Sequence, residues 1–383
     1  MTTAIYINDF AVLCALGGNR ETVRRNLLSE TPTPVSGSWK LTDGRHVPVG
    51  AVALDPAPGD PDSRCNVMAD RCLAEIDPVH WRTTDKSRIA VVIGTSSCGL
   101  AENGAAFQRR IADGQWPAGF RLAIQEFGNV AEHVAGRVGA VGPTYGISTA
   151  CTSGAKTLAS AARLIASGLA DVVIAGGFDA LCDLTLNGFS ALESLADGVS
   201  NPFSKNRRGI NMGEGGALFV LSAKPSAIRL AGWGESADAY HMSAPDPEGG
   251  GAEAAMRGAL QRAGLAPEAI GYLNLHGTGT KLNDAMEAKA VTRVFGLDLP
   301  CSSTKPMTGH MLGAAGAGEA AFTIMALQSG RLPAHLWDGE RDPEMPPIRL
   351  VAGTGETGDF SAAMSCSYAF GGNNIALVLE KAS

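Results

Sequence analysis

A cysteine in a segment of small residues is the first candidate for covalent chemistry. Cys151 lies in GISTACTSGAKTL, between a short extended run and an Ala-rich helical stretch. A thiol at a helix N-terminus meets free backbone N–H groups and the positive end of the helix dipole, so we expect a lowered pKa and a nucleophilic thiolate. An inert core cysteine is the ordinary alternative. The Gly, Ser and Thr neighbours, which leave room for a substrate, favour the nucleophile here.

Two histidines could provide the remaining chemistry. His276 ends the apolar run AIGYLNL and precedes a Gly/Thr loop in which Thr278 and Thr280 could hydrogen-bond an extended polar ligand. A structural histidine fits the same pattern. His310 lies in SSTKPMTGHMLGAAGAGEAA with Lys305 and Glu319, a pair expected to form a buried ion pair in which the lysine is structural or electrostatic rather than a base. Two neutral imidazoles aimed at one oxygen would stabilise an enolate better than one.

A Gly-rich turn near the C-terminus could supply further hydrogen-bond donors. The sequence CSYAFGGNNIALVLE places Phe370 between a predicted strand and Gly371 and Gly372. Backbone N–H groups in such turns can complete an oxyanion hole. Taken alone, the sequence favours a plain hairpin turn.

The elements that must position these residues alternate along the chain. Ala-rich helical stretches separate short apolar runs, which predict strands at 4–8, 88–94, 171–177, 216–222, 269–275, 363–370 and 375–380. This alternation indicates an α/β protein with buried sheets. Pro-rich segments predict a loop or cap at 32–62 and a loop at 332–347.

An internal echo suggests two similar halves. Residues 154–168 and 316–330 align without a gap, share five identities in 15 and both end at Gly, the usual helix stop. If the duplication is real, each small-residue helix is buried where other backbone approaches its turns closely.

Composition excludes several classes of protein. The chain has 383 residues, 45% of them hydrophobic and 18% charged, which rules out disorder and allows a large core. A net charge of −7 without a long basic run argues against nucleic acid. No apolar run reaches about 18 residues, and MTTAIYINDF carries no charged leader, so we expect a cytoplasmic protein without membrane contact. The eight cysteines never show C-x-x-C spacing, which disfavours zinc and a disulfide scaffold.

Together, the motifs resemble those of elongating β-ketoacyl-acyl-carrier-protein synthases, which are type II-like ketosynthases of the thiolase-like superfamily. From about Ile89 onward, the order and spacing agree through GPTYGISTACTSG, DVVIAGGFDA, NPFSKNRRGINMGEGG, GYLNLHGTGT, SSTKPMTGHMLGAAGAGEA and SYAFGGNN. The resemblance implies a thiolase-like α/β fold of two similar halves, with mixed five-stranded sheets layered with helices as αβαβα. We assign residues 1–225 to the half with Cys151 and cap insertions, and 226–383 to the half with His276 and His310.

The same resemblance implies a decarboxylative Claisen condensation. Cys151 would take an acyl group from an acyl carrier protein, and His276 and His310 would then hydrogen-bond the enolate formed when malonyl-carrier protein loses CO2. The backbone N–H groups of Cys151 and Phe370 would hold the oxyanion, with the Phe370 side chain as a gate. The resemblance also implies that Thr278 and Thr280 bind the phosphopantetheine arm. It implies that Lys305 and Glu319 support the two histidines. No metal or diffusible cofactor is implied, because the phosphopantetheine arrives on its carrier.

Partners and pathway follow from the same likeness. Carrier proteins are acidic, so Lys205, Arg207 and Arg208 form a candidate docking patch, with a solvated loop as the alternative. A dimer is expected, with a like chain or with a ketosynthase-like chain-length subunit. The 104–130 region, which would help form the dimer interface and the acyl pocket, hardly follows the family pattern, and SYAFGG replaces SFGFGG. These departures favour polyene or polyketide assembly over housekeeping fatty-acid synthesis.

Two alternatives stay open. A thiolase-like enzyme that does not decarboxylate would need a second catalytic cysteine near the C-terminus, for which Cys366 is available. A non-catalytic partner subunit that determines chain length normally lacks the nucleophile. The motif around His310 and the presence of Cys151 with both histidines favour the synthase.

Overall fold

The computed structural model describes residues 3–54, 63–353 and 356–382. Over these residues the strands are β1 (Tyr6–Leu13), β2 (Gly37–Lys40), β3 (His46–Gly50), β4 (Ile89–Gly94), β5 (Thr144–Ile147), β6 (Val172–Asp179), β7 (Met212–Gly213), β8 (Gly215–Ser222), β9 (Ile228–Ala237), β10 (Ile270–Asn274), β11 (Cys301–Ser302), β12 (Ala362–Tyr368) and β13 (Asn373–Lys381). The α-helices are α1 (Arg20–Leu27), α2 (Arg64–Glu75), α3 (Leu100–Asp113), α4 (Asn129–Val138), α5 (Ser153–Ala166), α6 (Asp183–Ala191), α7 (Gly250–Ala263), α8 (Lys281–Phe295), α9 (Lys305–Thr308) and α10 (Ala315–Ser329).

Two groups of five strands repeat one arrangement. The first runs β1-β8-β6-β4-β5 and the second β9-β13-β12-β10-β11. In each group the first two pairings are antiparallel and the last two parallel. A short antiparallel pairing of β1 with β9 joins the groups into one ten-stranded sheet. The predicted fold class is confirmed, whereas the division at 225/226, which falls between β8 and β9, stays a prediction about domains.

Helices cover both faces of this sheet. Helices α5 and α10 contact strands of both groups, α2 and α4 pack outside the first group, and α7 packs outside the second with α8 against it. This gives the five layers of the expected αβαβα order. Strands β4, β6 and β8 are buried at every residue, as continuous apolar strands are when helices lie on both sides.

The echoed helices meet at their echoed glycines. A Cβ added to Gly154 would lie 2.9 Å from the backbone nitrogen of Ala317, and one added to Gly316 would lie 2.7 Å from the Cβ of Ala155. Each helix therefore admits the other only because it carries no side chain at that turn, as expected from the sequence. This contact fixes the start of α5, and with it Cys151, against the second half.

Substituting Gly154 with alanine is expected to lower the free energy of unfolding by about 1–3 kcal/mol, because the added methyl group must displace the backbone of α10. Denaturant titration monitored by circular dichroism would measure the loss. The matched control is Gly136→Ala on the exposed face of α4, where an added Cβ meets no atom within 4 Å and a gain of about 0.5–1 kcal/mol is expected. Equal effects of the two substitutions would contradict the close approach.

The prediction of a loop or cap outside the core at 32–62 is wrong in part. Strands β2 and β3 form a hairpin that pairs with β7 in a second, three-stranded sheet. The hairpin turns at Gly44, whose φ is +88°, and Val47 and Val49 are buried in an apolar cluster with Leu186 and Ile210. Residues 55–62 lie outside the described residues.

The structure also bears on the second Pro-rich segment, the cysteines and the question of membrane-spanning helices. The segment 332–347 contains no helix or strand, as predicted, but the prediction that it lies outside the core is wrong in part, because Leu332 and Met345 are buried in apolar clusters. All eight cysteines are free and buried. None of the helices in the described part of the chain combines the length and the apolar character that crossing a bilayer needs.

Candidate active site

Cys151 lies in a tight turn at the start of α5. It precedes the N-cap Thr152, and Ala150 before it has a left-handed backbone with φ of 54°. The Ser153 hydroxyl accepts a hydrogen bond from the Thr149 N–H at 2.9 Å and donates to the carbonyl of Ala150 at 2.6 Å. These bonds hold the turn so that the Cys151 side chain, 7% exposed, faces the second half of the molecule.

Both predicted histidines face this sulphur. His310 Nε2 lies 3.0 Å from Cys151 Sγ, and the rings of His276 and His310 meet edge to face with centroids 5.3 Å apart. One ring nitrogen of each histidine and the sulphur all lie within 4.8 Å of one another. The structure thus brings Cys151 together with two histidines that lie more than a hundred positions after it in sequence.

The backbone holds both histidines in place. His310 donates its N–H to the carbonyl of Asn211 at 2.7 Å and accepts from the N–H of Gly213 at 2.9 Å. His276 donates its N–H to Glu287 Oε1 at 2.7 Å. All three contacts use backbone atoms of the histidines, so they engage neither imidazole ring.

The predicted buried ion pair is present beneath His276. Lys305 and Glu319 are each 1% exposed, and Lys305 Nζ donates to Glu319 Oε1 and to the carbonyl of His276. The same ammonium lies 3.4 Å from His276 Nδ1. An ammonium can only donate, so this contact favours the tautomer in which His276 carries its proton on Nε2.

Both histidines are neutral at physiological pH. Burial lowers the pKa of His276 well below its ordinary value, and the charges of Lys305 and His310 lower it further. Burial and the charge of Lys305 likewise lower the pKa of His310. Two neutral imidazoles are what stabilisation of an enolate oxygen requires. The three residues are also spaced like metal ligands, but the positive charge of Lys305 beside them opposes a cation.

The expected low pKa of Cys151 is wrong for the free protein. Burial raises the pKa of the thiol to about 11, although Lys305 and the backbone N–H groups of Phe370 and Cys151 oppose the shift. The desolvation cost of a buried thiolate exceeds the benefit of the helix N-terminus. The sulphur therefore rests as a thiol, with His310 Nε2 at hydrogen-bonding distance from it.

Alkylation of Cys151 by iodoacetamide should accordingly rise with pH. Only the thiolate reacts, and below a pKa of about 11 its population grows about tenfold for each pH unit. Peptide mapping after timed alkylation between neutral pH and pH 9 would give the rate at this residue. A rate that levels off below pH 8 would show instead a thiolate–imidazolium pair with His310.

The Gly-rich turn closes over the sulphur. Phe370, Gly371 and Gly372 form the turn between β12 and β13, with both glycines in the left-handed region. The turn is thus the hairpin that the sequence favours, and its Phe370 N–H also points at the Cys151 sulphur. The Phe370 ring stacks on Phe189 with centroids 5.6 Å apart, and both side chains line the same cavity as Cys151.

A cavity of about 410 Å³ leads from these residues to the surface. Cys151, His276 and His310 line its inner end. Thr278 and Thr280 line its wall, with their hydroxyls 3.0 Å apart. Their placement fits hydrogen bonding to an extended arm that enters from solvent.

The three cations of the predicted docking patch differ in environment. Lys205 is exposed but pairs with Glu340 at 2.6 Å, and Arg207 is buried and pairs with Asp342 at 2.5 Å. Arg208 is exposed at the cavity and has no ion pair among the described residues. Docking by the whole patch stays a prediction, and Arg208 is its one member with an unmatched charge.

Three buried carboxylates that position the site were not identified from sequence. Asp179 accepts hydrogen bonds from Ser96, Ser97 and Gly313, and so ties the end of β4 to the turn after His310. Asp284 and Glu287 on α8 hold the loop that carries His276, by accepting the backbone N–H groups of Gly279 and Gly277. Asp284 and Glu287 could have been found from the sequence, since acidic residues often occupy the first turns of a helix that follows a Gly-rich loop.

Comparison with known proteins identifies the family. The model described as "Beta-ketoacyl synthase, N-terminal domain" matches residues 73–227, and that described as "Beta-ketoacyl synthase, C-terminal domain" matches residues 228–337. A protein named 3-oxoacyl-[acyl-carrier-protein] synthase 2 from Coxiella burnetii is 39% identical over 258 residues, which are 63% of this chain and 62% of that protein. One of the same name from Staphylococcus aureus is 36% identical over 261 residues, 64% of this chain and 63% of that protein.

Solved structures match over nearly the whole chain. The ketosynthase ApeO in complex with its chain length factor ApeC, from Xenorhabdus doucetiae, is similar with a TM-score of 0.94 and 40% identity over 99% of this chain and 98% of that one. A β-ketoacyl synthase from Burkholderia phymatum has a TM-score of 0.88 and 26% identity, with full coverage of both chains. The match thus spans less than two thirds of the curated relatives but nearly all of one chain of the ApeO–ApeC complex. The chain belongs to the β-ketoacyl synthase family.

Proposed function

We propose that this protein is a ketosynthase that condenses an acyl group, held on Cys151, with a malonyl group delivered by an acyl carrier protein. The observation that carries the proposal is the meeting of one thiol and two neutral imidazoles within 4.8 Å at the inner end of a cavity open to solvent. A thiol alone would support acyl transfer, and the second imidazole adds the ability to hold an enolate.

In the first half-reaction, Cys151 Sγ attacks the carbonyl carbon of an acyl thioester. Its proton passes to His310 Nε2, 3.0 Å away, and then to the sulphur of the departing pantetheine. The carbonyl oxygen becomes an oxyanion that the N–H groups of Cys151 and Phe370 can hold, since both point into this region. The product is an acyl group on Cys151 and a free carrier thiol.

In the second half-reaction, a malonyl thioester occupies the same arm site. Breaking its bond to the carboxylate releases CO2 and leaves an enolate, whose oxygen accepts hydrogen bonds from His276 and His310. The enolate carbon attacks the acyl carbonyl on Cys151, and collapse of the oxyanion releases a β-ketoacyl thioester and the sulphur, which takes up one proton from solvent to become a thiol again. The low pKa of each histidine suits this step, because an imidazolium would protonate the reactive carbon.

The two alternative functions have less support. Cys366, the candidate second thiol for thiolase chemistry, is 0% exposed and does not line the cavity, and burial raises its pKa. A subunit that only sets chain length has no need of the thiol and the histidine pair in reacting geometry. The relatives named synthases also favour decarboxylative condensation.

The proposed substrates arrive on the phosphopantetheine arm of the carrier, so the enzyme needs no cofactor of its own. A polyketide or polyene pathway is proposed from the sequence departures and from the likeness to ApeO, whose structure was solved with its chain length factor. A cytoplasmic location stays a prediction.

A dimer is proposed from the first half of the structure. Strand β5 is one of the two edges of the ten-stranded sheet, and apolar side chains on and near α3 face solvent, among them Ile111, Trp116 and Leu122. Edge strands and apolar patches of this kind are covered in stable assemblies. The partner is a second copy or a related chain-length subunit, which size measurement of the chain alone and with such a subunit would distinguish.

The function is tested by incubating the protein with acyl- and malonyl-carrier protein and following intact mass and CO2 release. We expect an acyl adduct that peptide mapping places on Cys151, followed by CO2 release and transfer of the acyl group to the carrier. Condensation without CO2 would indicate a thiolase. Absence of any adduct, with each candidate partner subunit present, would indicate a non-catalytic subunit and overturn the proposal.

A further inference from the structure

Helix α6 carries one of the two stacked phenylalanines of the cavity, but its own sequence specifies it weakly. Its nine residues, DLTLNGFSA, include a glycine, an asparagine and a threonine, which are poor helix formers. Its N-cap residue makes no side-chain capping bond. Glu193, just beyond its C-cap, has a left-handed backbone with φ of 53°, which a glycine would adopt at lower cost. A short helix of this kind depends on its neighbours for its position.

The tip of the β2–β3 hairpin bonds to the exposed side of this helix. The side-chain oxygen of Asn187 accepts hydrogen bonds from the N–H of Thr42 at 2.9 Å and from the Thr42 hydroxyl at 2.7 Å. Arg45 donates to the hydroxyl of Ser190 at 2.6 Å. In each bond the two residues lie 145 positions apart in sequence. The hairpin therefore holds α6 from a distant part of the chain.

The other side of α6 leads to the nucleophile. Phe189, two residues after Asn187, packs on the apolar cluster that contains the buried side chains of the hairpin. Its ring stacks on that of Phe370 with centroids 5.6 Å apart. The Phe370 N–H points at the Cys151 sulphur and is one of the two donors proposed for the oxyanion. A continuous series of contacts thus joins the hairpin tip, through α6, to a hydrogen-bond donor of the reaction.

Building on the proposed function, we propose that Asn187 and Thr42 are positioning residues for the acylation of Cys151. Their bonds fix α6, and α6 places the ring of Phe189 so that Phe370 presents its N–H to the oxyanion. A donor that is already in place needs no rearrangement when charge develops, so a looser α6 slows the step that forms the oxyanion. Loss of CO2 from the malonyl thioester depends on the two histidines instead, and it is independent of this contact.

The test substitutes Asn187 with alanine. Alanine is a better helix former than asparagine, so Asn187→Ala removes the bonds to the hairpin without weakening the helix itself. We expect the rate of Cys151 acylation by acyl-carrier protein, followed by intact mass, to fall on the order of tenfold. CO2 release from malonyl-carrier protein, measured in the Cys151→Ala background, should stay at the rate of Cys151→Ala alone. A substitution that only disturbed the packing of the cavity would slow both reactions.

Gly188→Ala is the matched control on the same helix. It also introduces a better helix former, and the added Cβ meets no atom within 4 Å, so acylation should keep its wild-type rate. On the hairpin side, Thr42→Val removes the hydroxyl but keeps the backbone N–H that bonds to Asn187. It should therefore cause a smaller loss of acylation than Asn187→Ala.

A double variant tests the route through Phe189. Phe189→Leu removes the stacked ring and should itself slow acylation, and adding Asn187→Ala should then cause little further loss, because both changes interrupt the same series of contacts. Losses that multiply in the double variant, an equal loss of CO2 release, or wild-type acylation in Asn187→Ala would overturn the positioning role while the proposed function stands. If no acyl-carrier protein acylates Cys151 of the wild-type protein, with each candidate partner subunit present, the proposed function fails and the positioning role fails with it.

Discussion

Replacing His310 with alanine is expected to slow acylation of Cys151 by about 10²–10⁴-fold, because the buried thiol loses its proton acceptor. The same change should slow CO2 release from malonyl-carrier protein by about 10²–10³-fold, since one of two enolate donors is lost. The geometry supports both effects, because His310 Nε2 is 3.0 Å from Cys151 Sγ and the ring also meets His276. Intact mass measures the first effect and CO2 release the second.

Two variants separate the roles of His310. His310→Gln keeps an amide N–H that can donate to the enolate but has no basic nitrogen, so CO2 release should fall less than in His310→Ala while acylation stays equally slow. In Cys151→Ala no acyl adduct forms, yet decarboxylation should continue because it needs the imidazoles and not the sulphur. A loss of less than tenfold in correctly folded His310→Ala, judged by circular dichroism, would remove His310 from the chemistry.

Strands that are specified by their own residues could be predicted from the sequence, whereas strands that depend on pairing with distant segments could not. The runs at 88–94, 171–177 and 216–222 became β4, β6 and β8, because a continuous apolar run flanked by turn residues has few other uses. Strand β9 was missed because IRLAGWGESA mixes glycine and charge with its apolar residues, and it is a strand through its pairing with β13 and, over two residues, with β1. The hairpin of β2 and β3 was missed because prolines normally mark loops, whereas Pro48 here lies in β3, which meets its neighbours over only a few residues.

The site residues, too, could be predicted where a local motif identifies them, but not where burial or a partner elsewhere in the chain decides their behaviour. The identities of Cys151, His276 and His310 followed from motifs, and the helix start, strand end and Gly-rich turn around them were expected. The protonation state of Cys151 was not, because the helix dipole can be inferred from sequence but the depth of burial cannot. Asp179 was also missed, since its bond to Gly313 joins segments far apart in sequence. Glu287 was missed although the Gly277 N–H that it accepts lies only 10 residues before it. The sequence does not show how strongly burial desolvates each charged group, or which distant residue offsets that cost.

Replacing Lys305 with methionine is expected to lower both the free energy of unfolding and the rate of CO2 release. Removing one partner of a buried ion pair leaves the other uncompensated, at a cost of about 3–5 kcal/mol when Glu319 is ionised. Activity should fall on the order of 10²-fold, because His276 Nδ1 loses the donor that directs its Nε2 proton to the cavity. Denaturant titration and CO2 release would measure the two losses on the same preparations.

The size of the stability loss should depend on pH. Burial raises the pKa of Glu319 from 4.5 to about 7 even with Lys305 opposing the shift, so without the lysine the folded carboxyl holds its proton to still higher pH. A group whose pKa is raised on folding stabilises the folded state at low pH and loses that contribution as pH rises through the folded value. Lys305→Met should therefore be closer to wild type at pH 6 than at pH 8.5.

The double variant Lys305→Met/Glu319→Gln separates stability from catalysis. With no charge left to bury, it should regain most of the lost free energy of unfolding and lose the extra pH dependence, as buried ion pairs replaced together often do. CO2 release should stay low, because His276 still lacks its donor. Recovery of both properties would show that Lys305 acts only by neutralising Glu319, and recovery of neither would place the damage in the packing around α10. The expected split would identify Lys305 as the residue that positions the proton of His276.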